Sequence, residues 1–440
     1  MRRCLFERRI QTVLMITTLV MIILRFLLNE KGRTNPDSIR FMRTSDAFPV
    51  IDNTVTPLGY PLSLKLFSII GIGEFWGSKF LGIVAFLFIV YFAWKKKFYV
   101  KETILVCGLF SFVSIFSYTM SEVLILPFVF VFLFVARQII IDELKGAKAF
   151  LLLSLMLVIL YNIRYSSLFF IGAVFLYGVI NFCKHFGKTF VFSSLVGFGF
   201  VVLYKLLFID YFDEKYVQNF LNIGLHPTSK LLVELFQGLA TTFNPFIHIA
   251  NPGGGIINYA IYGIGFLNIL LMIFLFVKGK LSESEKFLIF AGIIGIICSY
   301  FIQYFYSVNA IDYRLLAPFS FPIWMVYFKK LYGIFGKLTY SVTVLSLMTG
   351  FVFTWLSKGN YLENRRTITK FLVEENLEKG PIKFYLIDEQ QLNAVQIAEL
   401  ISTVNPNVSI TFKPQDTIKK NVLTPHKVLR KIKIDTNKFQ

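Results

Sequence analysis

Apolar and polar positions in this chain come in long blocks. Runs near the roughly 20 residues that cross a bilayer lie at about Ile10 to Leu28, Phe75 to Trp94, Thr103 to Tyr118 and Val123 to Ile141. Others follow at about Ala149 to Ile163, Ser166 to Phe182, Phe190 to Phe208 and Asn258 to Val277, then Phe287 to Phe305, Leu315 to Phe328 and Leu338 to Trp355. The pattern predicts an all-α polytopic membrane protein of about eleven transmembrane helices. Two polar interruptions are too long for simple connectors. The first, within residues 29–74, contains a short apolar segment, Leu62 to Ile70, that reads as an interfacial helix, with Pro61 able to open it. The second, residues 209–256, carries TSKLLVELFQGLATTF, spaced as an amphipathic helix, and a breaker at Asn251 to Gly255 that reads as a hinge and only weakly as a phosphate cradle.

After residue 357 the pattern changes. Residues 358–440 have low apolar density, with extended runs at Ile382 to Ile387 and Val408 to Phe412 and a helical stretch near Gln391 to Thr403. A small C-terminal α/β extramembrane region is the expectation. The division is thus a transmembrane domain over 1–357 and a soluble region over 358–440.

Composition fits this class: 55% of residues are hydrophobic, with 51 Phe and 21 Tyr, and mean hydropathy is +0.64. The formal charge of +19 does not point to nucleic acid, because Lys and Arg cluster at the ends of apolar runs. Arg2, Arg3, Arg8 and Arg9, then Lys95 to Lys97, then Lys329 and Lys330, mark one side as cytoplasmic. The N-terminus is expected there, on an uncleaved first helix. The first loop, the site and the C-terminus fall on the extracytoplasmic side, most naturally of a bacterial inner membrane. Arg25, near the outer end of the first span, is expected to snorkel to the interface. The cysteines Cys4, Cys107, Cys183 and Cys298 have no paired spacing, so neither a disulfide framework nor a metal site is indicated.

Candidate chemistry gathers on the outer side. Asp37, Asp46 and Asp52 share the first loop with Arg33, Arg40 and Arg43, and Glu74, Glu122, Arg164, His248, Asp312 and Arg314 lie at later helix ends. Ionisable groups at membrane depth are costly unless paired or lining a wet cavity, so their common sidedness marks a site. Each also has a plain reading. Charge is ordinary in a turn, and His248 reads more simply as a satisfied interfacial histidine than as a metal ligand.

An Asp ahead of an aromatic (Asp37-Ser38-Ile39-Arg40-Phe41), Pro-x-Gly-Tyr-Pro at Pro57 to Pro61, Ser121-Glu122, Arg164-Tyr165 and Tyr313-Arg314-Leu315-Leu316-Ala317-Pro318 occur in that order. Together they resemble the GT-C glycosyltransferases, in the branch of protein O-mannosyltransferases and aminoarabinose transferases, over roughly Ile10 to Phe328. Asp37 is followed by Ser38, where that family often has an acidic pair or a Tyr. The resemblance implies a GT-C-like bundle and inverting transfer of a sugar from a polyprenyl-phosphate donor to a glycan, lipid or protein acceptor, in contact with membrane lipid. It implies Asp37 as general base with Asp46 as the alternative. Arg164 and Arg314 would hold the donor phosphate, with Arg40 or Arg43 in reserve. Glu122, Tyr60, Tyr165, Tyr313 and His248 would contact substrate. No particular cofactor is indicated, and the lone carboxylates leave a divalent metal open. The rival readings are an O-antigen ligase or repeat-unit polymerase, a transporter, and a non-enzymatic envelope protein.

Overall fold

The computed structural model describes residues 2–51, 56–214, 228–248, 255–305, 311–387 and 392–434. Asp52 and residues 251–254 of the expected hinge lie outside them. Helix α1 (Arg2–Leu27) is followed by two short helices in the first loop, α2 (Pro36–Ala47) and α3 (Gly59–Ile69), before α4 (Glu74–Lys96). Next come α5 (Val100–Cys107), α6 (Phe110–Ser117), α7 (Ser121–Ile140), α8 (Gly146–Ile163), α9 (Leu168–Ile180) and α10 (Gly187–Tyr204). The predicted amphipathic helix is α11 (Thr228–Thr242). It precedes α12 (Ile256–Lys278), α13 (Glu283–Phe305), α14 (Tyr313–Phe335) and α15 (Tyr340–Leu356).

Eight helices among the described residues are long and apolar enough to cross a membrane, or nine if the α5–α6 pair, bent by 72°, is one span. The chain is therefore a mainly helical, multi-pass membrane protein. The count of eight or nine differs from the expected eleven for two reasons. Tyr165–Ile180 is shorter than a span, and Tyr313–Leu356 counts as one 44-residue helical run, although Gly336 turns it with φ +55°. The α5–α6 bend falls at Gly108 and Leu109, where Leu109 leaves the helical region at ψ 138°.

Leucine and phenylalanine faces lock the helices together. Phe112, Phe116, Phe130, Phe132, Phe170 and Trp324 are all fully enclosed, while Leu62, Leu66 and Ile69 of α3 and the following Ile70 stay exposed, as an interfacial helix requires. After α15, helix α16 (Tyr361–Glu374) leads to strands β1 (Ile382–Tyr385), β2 (Val408–Thr411) and β3 (Val422–Leu423), with α17 (Leu392–Ser402) between the first two. The strands form one parallel sheet in the order β2-β1-β3.

Helix α2 lies between these two parts of the molecule. Asn35 caps it through a reciprocal pair of bonds with Ser38, an arrangement that satisfies two otherwise unpaired amides. Ser38, Phe41, Met42 and Ser45 form its buried face towards the helices, and Phe41 packs edge-on against Tyr60 of α3 with ring centroids 5.2 Å apart. The opposite stripe, Pro36, Ile39, Arg40 and Arg43, faces α17 and β2 across a cleft of about 210 Å³.

Candidate functional site

Close approach of helix ends builds the first cluster. Gly59 begins α3 directly against the end of α8, where an added Cβ would stand 2.9 Å from the Asn162 carbonyl. Tyr60 is thereby buried beside the turn that carries Arg164. Its hydroxyl is held well above its ordinary pKa by burial and by the nearby Glu122 carboxylate. Glu122 opens α7, is 1% exposed, and receives Arg164 Nη1 at 2.8 Å. Arg314 Nε stands 3.5 Å from its other oxygen. Arg164 also donates from Nε to Ser166 Oγ at 2.9 Å. Arg314 is placed by Asp312, whose carboxylate caps α14 by accepting from the Arg314 and Leu315 amides, both at 3.1 Å. Burial raises the pKa of Asp312 against the opposing pull of Arg314. The structure thus joins Glu122, Arg164 and Arg314, three residues far apart in sequence, into one buried ionic group. Glu122 is spent on the two guanidiniums, and Asp312 stands beside Arg314, so this group carries little surplus positive charge.

Tyr165 stacks near Tyr161 and Tyr204, with centroids at 5.3 and 6.1 Å. Tyr313 is buried against His248, whose ring centroid is 3.9 Å away and which also faces Phe110 at 4.7 Å. Burial, with Arg25 and Arg33, pushes the His248 imidazole well below its ordinary pKa, so it is a neutral stacking group near neutral pH. Arg40 does not join the other arginines. It is exposed on the α2 stripe that faces the C-terminal strands.

Asp37 lies in the first turn of α2, half-exposed, and makes no ion pair among the described residues. It shares a flank of the helix with Phe41, one turn on, which touches Tyr60. Asp46 stands nine residues later in the helix, about 13 Å along the axis and on the opposite flank. It is half-buried there, and burial and Glu74 raise its pKa while Lys65 lowers it. The two aspartates therefore cannot serve one reacting centre interchangeably.

A second cluster was not anticipated. Arg25 does not snorkel: it is 4% exposed, donates to Thr354 Oγ1 at 3.3 Å and lies 4.6 Å over the Phe110 ring. Lys31 is enclosed and donates to the Thr354 carbonyl. Arg33 donates from Nε to the Arg25 carbonyl at 3.1 Å. Lys79 of α4 is 2% exposed and donates to the carbonyls of Arg33 and Ser117 and to Thr119 Oγ1, at 3.0, 2.9 and 2.9 Å. None of the four is ion-paired with a carboxylate among the described residues, although burying an unpaired ion costs several kcal/mol. Burial and the adjacent Arg33 and Arg25 bring the Lys31 ammonium down to about 7. Lys79, a cation inside an apolar run, is the signal in the sequence that could have marked this cluster.

Among the described residues no three His, Cys, Asp or Glu side chains gather in a way that could hold a metal ion. No family model matches the chain, and no curated protein matches it.

Proposed function

We propose that the chain is an integral membrane glycosyltransferase, an eleven-span GT-C-like enzyme acting at the extracytoplasmic surface on a polyprenyl-phosphate-linked sugar. The observation that carries this reading is the position of Asp37: an unpaired carboxylate on a capped helix between α1 and α4, four residues beyond the buried Arg33 and one helical turn from the Phe41–Tyr60 contact that leads to Glu122, Arg164 and Arg314.

The chemistry follows from that arrangement. An acceptor hydroxyl attacks the anomeric carbon while the bond from that carbon to the phosphate oxygen breaks. Asp37 takes the hydroxyl proton as the new bond forms, and the phosphate departs with the bonding electron pair. A phosphate is stable as an anion, so it needs fixed positive groups more than a proton donor. Arg164 and Arg314 contribute guanidinium donors from a frame set by Glu122, and such preorganised donors are not reoriented during the reaction. Displacement from the far side inverts the anomeric centre. Tyr165 and His248, both part-exposed, supply flat, largely apolar surfaces of the kind sugars and isoprenoids pack against, while the enclosed Tyr60 and Tyr313 act through packing.

The test is Asp37→Asn in membranes containing a lipid-linked sugar. Transfer is expected to disappear with protein abundance unchanged, whereas Asp46→Asn retains turnover because it sits on the other flank of α2. Turnover in the Asp37 variant would remove the carboxylate from its role.

A further inference from the structure

The charges of the buried cations do not close. Around Glu122 each guanidinium has a carboxylate beside it, whereas Arg25, Lys31, Arg33 and Lys79 have no carboxylate paired with them among the described residues. Arg33 is the centre of the set, repelling Arg25, Lys31 and Lys79 alike. Glu30, the carboxylate next to Lys31 in the sequence, is engaged at the surface by Arg366 at 3.2 Å.

The backbone tells the same story independently. Asn29, Glu30 and Arg33 hold φ of 57°, 56° and 54°, a left-handed region that side-chain-bearing residues seldom occupy and that concentrates at ligand sites. The strained turn is tied down at both ends. Asn29 Nδ2 donates to the carbonyls of Trp355 and Ser357 at 2.6 and 3.2 Å, and the Gly32 amide donates to the Phe26 carbonyl at 2.9 Å.

We infer that Arg25, Lys31 and Arg33, with Lys79 behind them, form a binding site for a phosphate-type anion at the junction of α1, α4 and α15. Their roles differ. Lys79 has all three ammonium protons committed to protein acceptors, so it contributes field and not contact. Arg25 Nε is enclosed without a hydrogen-bond partner, and Arg33, whose Nε is already used, carries terminal N–H groups of the planar kind that suits phosphate oxygens. The inference rests on charge and backbone geometry and does not depend on the transferase reading. The phosphate can come from a lipid carrier or from solution, and the two sources are separable.

The experiment follows thermal unfolding of the full chain in detergent, with potassium phosphate against potassium chloride of equal ionic strength, and with farnesyl phosphate against farnesol. Saturable stabilisation by farnesyl phosphate but not by phosphate assigns a lipid source. Stabilisation by phosphate alone assigns a soluble one. Arg33→Gln and Lys31→Met are expected to raise the transition without added anion, because they remove unpaired buried charge. They should also weaken binding of the effective probe by about tenfold or more. The exposed Lys188→Gln should change neither. The site is refuted if neither probe stabilises the natural chain beyond its control. It is equally refuted if both substitutions leave affinity unchanged, or if both lower the transition or prevent folding, since the cations would then be structural. All readouts are of binding, so a failed transfer assay leaves this result standing.

Discussion

Glu122 shows how much one side chain can organise. Its carboxylate is the meeting point of guanidiniums brought by α8 and α14, so it fixes three helix ends at once. Removing one member of a buried ion group leaves the others uncompensated, at a cost of about 3–5 kcal/mol. Glu122→Gln is therefore expected to lower the thermal transition of the full chain sharply and to reduce its abundance in membranes. Replacing Arg164 and Glu122 together should restore part of that loss, which a double-mutant cycle would read directly. The candidates Glu122, Arg164 and Arg314 were legible in the sequence because each is a charge at a helix end. Their mutual pairing was not, because it depends on how helix ends distant in the sequence converge. Arg25 was misread for the same reason. A basic residue near the end of a span ordinarily reaches for water, but Thr354 and Phe110 enclose this one.

At the scale of elements, helices declare themselves through apolar length and packing faces, and the interfacial α3 and amphipathic α11 lie where their patterns place them. The strands were foreshadowed by alternating runs. Their parallel pairing was not, since register depends on α17 crossing between β1 and β2. Asp416 supports that pairing. It accepts from Thr411 Oγ1 at 2.8 Å in β2 and from Lys419 at 2.8 Å, with Lys383 of β1 at 3.4 Å. Bonds from Lys419 and Thr411, then the pull of Lys383, hold its carboxyl below the ordinary aspartate range. A carboxyl with a depressed folded pKa contributes stability that is whole above the unfolded value. That contribution is lost as pH falls from about 4 through the folded value. Amide exchange of residues 382–423 in the full chain should accelerate over that window, and Asp416→Asn should flatten the dependence while loosening the sheet at neutral pH.

For the molecule as a whole, the membrane character is secure from composition, but the number of crossings turns on how a short helix, a bent pair and a turned run are counted. The eleven crossings proposed for the enzyme would place the two chain ends on opposite sides. A reporter fused after Gln440 is then expected to read as external with the N-terminus cytoplasmic, and an internal signal would require an even number. Helix α2 draws the two parts of the fold together, for it is gripped from both sides: Phe41 and Met42 press on the membrane helices, while Pro36 and Ile39 meet α17 and β2. A chain cut off after Leu356 would keep every crossing and the charged groups around Glu122 and Arg33, yet its Asp37 would hang from a rod supported along one edge only. The C-terminal region then acts less as an appendage than as the second jaw of a vice, and a molecule that settles on or displaces that jaw has mechanical leverage over the position of the carboxylate.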